Sequence, residues 1–108
     1  MSDEPTTPVS LVVEERDASD ARFRAVLLDR ATFRDVSMTD THFSDTTLAG
    51  SRFDNVNLSE ARLRNVRMED VRIDNANLTN VSITNANMSG MTINGILVSD
   101  LLDKWMTE

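Results

Sequence analysis

Residues 76–90 read Ala76-Asn77-Leu78-Thr79-Asn80, Val81-Ser82-Ile83-Thr84-Asn85, Ala86-Asn87-Met88-Ser89-Gly90. Three times in succession, a small or β-branched residue is followed two places on by a large apolar one, in a unit five residues long. The beat extends through most of the chain. Every fifth residue from Phe23 to Val98 is large and apolar, 16 positions without exception. Two places before each stands Ala, Val, Thr or Ser, until Met91 and Ile96 depart from the rule.

The period decides the architecture. A helix calls for apolar spacings of three and four, and a plain strand for strict alternation. Five satisfies neither as one continuous element. Within a unit, however, the two apolar residues are two apart and so share one side of a short extended segment. The residue two places after the large apolar one is often Asp, Asn or Gly, as at Asp35, Asp45, Gly50, Asn55, Asn65 and Asn75. These types accept tight-turn backbone. Each unit is therefore one short side and one corner, and the chain coils with both apolar positions facing inward.

The segments Ala76–Asn80, Ala86–Gly90 and Val56–Glu60 resemble the pentapeptide-repeat family, whose pattern is a small residue, Asp or Asn, Leu or Phe, and two variable positions. The resemblance covers residues 21–98. It implies an all-β fold, a right-handed quadrilateral β-helix with four units per coil. The 16 units then make about four coils, roughly 19 Å tall at about 4.8 Å per rung. Columns follow at spacings of twenty residues. One core column is Phe23, Phe43, Leu63, Ile83, and the opposite one is Phe33, Phe53, Ile73, Ile93. All four Phe fall in the first half as two stacked pairs, leaving an aliphatic second half. Arg22, Arg52, Arg62, Arg67 and Arg72 stand where the family pattern has Asn or Asp, and Thr41, Thr46 and Ser51 place hydroxyls at the small inward position.

A solenoid exposes core at its ends and needs covers there. After Gly95 the spacing of Val98, Leu101, Leu102, Trp105 and Met106 matches one face of a helix. Ser99 suits an N-cap, Asp100 the first turn and Lys104 the last. A short C-terminal capping helix is therefore predicted over about residues 99–107, within a terminal segment 99–108. Two roles stand open: a lid on the last coil, or a surface through which Leu101, Leu102, Trp105 and Met106 pair with a second copy. Some members of the family dimerise at their C-terminal ends, which adds to the second role. At the other end, residues 9–20 are expected to form an N-terminal cap or degenerate first coil. Leu11 and Val13 keep register there, and Arg16 and Ala18 fill their places poorly. Residues 1–8, with Pro5 and Pro8, have the composition of a disordered tail.

The net charge of −7 is unevenly placed: −5 over residues 1–20, zero over residues 21–99 and −2 over residues 100–108. There is no Cys, so disulfides and thiolate metal sites are excluded. No basic, apolar leader opens the sequence and no apolar run could span a membrane, so a cytoplasmic protein without membrane contact is expected. His42, the only histidine, falls at an outward position between Arg22 and Arg62 in its column, with no ligand set or triad around it. No phosphate loop and no metal spacing is present. Neither a catalytic site nor a cofactor is predicted.

Two outward features remain. Arg52 and Arg72 stack beside Asp54 and Asp74, a self-compensating charge ladder. Arg22, Arg24, Arg62 and Arg64 flank Phe23 and Leu63 as a basic patch that could meet an acidic partner or a phosphate. The function expected is a non-catalytic structural or protein-interaction module with an unidentified protein partner, self-pairing as a homodimer being one form of it. The alternative, a DNA-mimicking modulator of the type II topoisomerase gyrase, is an activity of some family members. It is disfavoured here by a repeat body that is short and charge-neutral. Nucleic acid is not expected as a partner, given the net negative charge.

Overall fold

The computed structural model describes residues 11–106. The tail expected over residues 1–8 lies outside the described residues, as do Val9, Ser10, Thr107, Glu108 and the side chain of Met106. Two four-stranded parallel sheets face each other. One is built from β1 (Val12–Glu14), β3 (Thr32–Arg34), β5 (Arg52–Asp54) and β7 (Arg72–Asp74), and the other from β2 (Arg22–Arg24), β4 (His42–Thr47), β6 (Arg62–Arg67) and β8 (Ser82–Thr84). We call these the odd and even sheets. Every pairing is twenty residues in register, as in Phe23 with Phe43 and Phe43 with Leu63. The two remaining sides are held by single parallel bridges, Asp17 to Ser37 to Asn57 to Asn77 on one and Leu27 to Thr47, then Arg67 to Asn87, on the other. The chain is a β-solenoid of about four turns, followed by one short helix.

Corners explain how so short a unit turns. From Glu15 to Gly90 every fifth residue has positive φ. An L-residue is disfavoured there by roughly 1–2 kcal/mol, least for Asn and Asp, which can bond locally. Stacked corners recover part of that cost. The Asn55 side-chain amide donates to Asp35 Oδ1 at 2.8 Å, and Asn80 does the same to Glu60 Oε2 at 2.9 Å. Glu15, Ala25 and Arg30 also occupy corners. Parallel stacking therefore imposes the conformation even where the residue type does not favour it.

The core occupies the middle turns. Phe33, Met38, Phe43, Leu48, Phe53 and Leu58 are buried. Phe23 stacks on Phe43 and Phe33 on Phe53, with centroids 4.8 and 4.7 Å apart, and Phe23 meets Phe33 edge-on at 6.4 Å. Thr41, Thr46 and Ser51 are buried and satisfied by backbone. Thr41 Oγ1 donates to Met38 O at 2.8 Å, Thr46 Oγ1 to Ser44 O at 2.8 Å, and Ser51 Oγ to Leu28 O at 2.8 Å. At the first turn, β1 pairs with β3, Leu11, Val13 and Ala18 are half-buried against the core, and Arg16 is exposed.

The stack stops differently from the way the repeat predicts. Ile93 does not extend the column of Phe33, Phe53 and Ile73. Asn94 and Gly95 both take positive φ, 50° and 82°, and reverse the chain between β9 (Thr92–Ile93) and β10 (Ile96–Leu97), an antiparallel pair. Asn-Gly with two left-handed residues is the preferred tight hairpin turn, and here it overrides the five-residue beat. The helix α1 (Val98–Met106) follows, beginning one residue before the Ser99 proposed as its cap.

Candidate interaction surfaces

The first surface is the C-terminal end. Beyond β7 and β8 no further rung of described residues covers the coil, so Ile73, Ile83 and Met88 are only half-buried and Leu78 is 48% exposed. The hairpin leaves Ile93, Ile96 and Leu97 exposed as well. Among the described side chains of the helix, Val98 alone is buried, and its amide donates to Met91 O at 2.8 Å. Leu101 and Leu102 stand about half exposed, and Trp105 is 78% exposed. The helix forms where its apolar spacing places it, but it does not bury that apolar face on the last coil. The hairpin accounts for this: α1 leads directly out of β10, so the reversal at Asn94–Gly95 carries the helix off the coil end. Leu78, Ile93, Ile96 and Leu97 thus join the surface already read from the sequence, and the Asn-Gly pair is the signal that would have found them.

The second surface is the outward face of the even sheet. The register puts Arg22, His42, Arg62 and Ser82 in one column and Arg24, Ser44, Arg64 and Thr84 in the next. No acidic residue occurs among these eight. All four Arg and His42 are exposed, and none of the four guanidiniums has an ion pair with a described residue. The odd sheet is built otherwise. Its outward positions carry Glu14, Arg34, Arg52, Asp54, Arg72 and Asp74, acid and base in equal number. The ladder of Arg52 and Arg72 with Asp54 and Asp74 balances charge across the face without closing direct ion pairs. Direct ion pairs close from Arg67 to Glu69 at 2.9 Å and from Arg34 to Asp35 at 3.9 Å, exposed pairs worth about 0–1 kcal/mol each.

The other two sides carry shallow polar grooves, one lined by Asp45, Thr47, Asn65 and Asn87 and the other by Asp35, Ser37, Asn57 and Asn77. In the second, Asn57 Oδ1 and Asn77 Oδ1 each accept the amide two residues on, at 3.0 Å. Turn chemistry accounts for these side chains. Among the described residues, no group of three or more His, Asp or Glu side chains could hold a metal ion, and no helix is long and apolar enough to cross a membrane.

A family model described as a pentapeptide repeat region matches residues 21–99. Among solved structures, the chain is similar to the crystal structure of a pentapeptide repeat protein, Rfr23, from the cyanobacterium Cyanothece 51142. That match has 16% identity and a TM-score of 0.24, and covers 73% of this chain and 84% of the other. No curated protein matches.

Proposed function

Because the chain belongs to the pentapeptide-repeat family of structural repeat proteins, we propose that it is a non-catalytic interaction module that self-associates through its C-terminal end. The observation that carries this reading is the exposure of Leu78, Ile93, Ile96, Leu97, Leu101, Leu102 and Trp105 over the last turn, the hairpin and the helix. A solenoid end left uncovered offers apolar rims of the kind that terminal caps normally conceal. Large exposed apolar patches mark interaction sites. A second copy presents the same patch, and a two-fold pairing would cover both at once.

Light scattering across a dilution series tests this. The wild type should be dimeric at high concentration, and Trp105→Glu should be monomeric with an unchanged circular dichroism spectrum. A wild type that stays monomeric throughout would overturn the reading. The charge layout gives no support to the gyrase alternative. A DNA mimic requires a continuous acidic surface, whereas the repeat sums to zero and the even sheet is basic on its outward face.

A further inference from the structure

We propose that the outward face of the even sheet is a docking site for an extended acidic peptide segment of a partner protein. The argument begins with imbalance. Four guanidiniums are held on two neighbouring columns, Arg22 and Arg62 on one and Arg24 and Arg64 on the other. Rungs in a sheet repeat at about 4.8 Å, so the upper and lower pairs are roughly 10 Å apart, and residues two apart along a strand are separated by about 7 Å. His42 and Ser44 occupy the rung between. The odd sheet shows that this fold can balance its outward charge across a face, with three acids and three arginines. The even sheet carries no acid among its outward positions, and none of its four arginines closes an ion pair with a described residue.

The shape and rims select the ligand. Arginine presents a planar fork of donors that matches a carboxylate in two parallel hydrogen bonds. The basic strip is two columns wide, and acids stand at the corners on both sides: Asp20, Asp40 and Glu60 along one and Asp45 on the other. A broad polyanion would have to pass over those acids, and the chain as a whole carries −7. An extended peptide is about one strand wide, roughly 5 Å. It can lie along the solenoid axis between the rims, its carboxylates falling to the two columns. Side chains on one edge of such a segment recur at about 7 Å, within the reach of the long, flexible Arg and Glu side chains. Nucleic acid, which also offers anions in series, needs many phosphate contacts for affinity, and four arginines confined between acidic rims supply few.

The test uses the full chain and a fluorescein-labelled peptide of alternating Glu and Gly, read by anisotropy at low salt. Binding should weaken as salt is raised. The double variant R62Q/R64Q should weaken it by about tenfold or more. The matched pair on the other sheet, R52Q/R72Q, should leave it unchanged, and a Gln-Gly peptide should not bind. The proposal is overturned if the Glu peptide fails to bind, if R62Q/R64Q binds as well as wild type, or if a single-stranded oligonucleotide of equal charge binds more tightly than the peptide. It does not rest on self-association: W105E should retain peptide binding, so the two readings stand or fall separately.

Discussion

Phe23 and Phe43 lie ring over ring, 4.8 Å between centroids and 11° between planes, one coil apart. That stack is where the twenty-residue register becomes a packing energy, because each ring lies face to face with the residue one full turn away. Phe43 is the buried member of the pair and rests on Leu63 above.

Phe43→Ala should therefore lower stability by about 3–5 kcal/mol, the usual cost of deleting a buried aromatic ring and leaving its cavity. Ile83→Ala, at the half-buried end of the same column, should cost distinctly less. Chemical denaturation of both variants checks the ranking, and equal losses would contradict the register.

Ser51 closes a polar joint inside an apolar core. Its hydroxyl donates to Leu28 O at 2.8 Å and accepts the Ala31 amide at 3.2 Å, one coil below. Ser51→Ala removes both of these bonds but leaves the Ala31 amide donating to Leu28 O at 3.1 Å, so it should cost about 0.5–1.5 kcal/mol. Amide exchange should then speed up at Ala31 relative to Thr41, whose neighbourhood is unchanged.

Gly95 has φ +82° and no atom within 4 Å of the position a Cβ would take. Gly95→Ala should thus meet a backbone penalty alone, about 1–2 kcal/mol, confined to the hairpin. The readout is faster exchange of the Val98 amide, which donates to Met91 O across the hairpin, with little change in the global melting curve.

The Asp17 carboxylate is held below its ordinary pKa by the hydroxyl and the amide of Ser19, the amide donating to Oδ1 at 2.9 Å. A group depressed in the folded state contributes stability above its unfolded pKa and loses it as pH falls through the folded value. Asp17→Asn should flatten the acid limb of a stability-versus-pH curve by removing the charge-linked part at neutral pH, while its amide oxygen can still accept the Ser19 amide. Asn57 and Asn77 already accept the equivalent amide in the same column.

Most of the fold was legible because one rule governs it. A single spacing, read from Phe23 onward, places the Phe pairs, the buried hydroxyls and the outward columns of Arg22 and Arg24. The contrast between the compensated ladder of Arg52 and Arg72 and the basic patch of Arg22, Arg24, Arg62 and Arg64 is legible from the same columns. One thing was hidden. The end of the stack was misplaced because Ile93 and Val98 keep the beat that Asn94 breaks. An apolar residue in register with a repeat is buried only while another rung stands over it, and the tight turn removes that rung. The helix face from Leu101 to Trp105 was correctly seen as apolar, but periodicity reports which residues share a face and not what lies opposite them.

The twenty-residue register also constrains how such a chain can change length. Inserting or deleting five residues preserves the inward pattern, so the core would close again with conservative repacking. Every outward residue beyond the edit would move round by one side. Losing one unit between Arg24 and Arg62 would leave Arg62 and Arg64 on a different side from Arg22 and Arg24, and the basic strip would be halved while the core gave up only that unit's two inward residues. Only steps of twenty keep both. Chain length in this protein is thus quantised twice, in fives for folding and in twenties for what the surface presents.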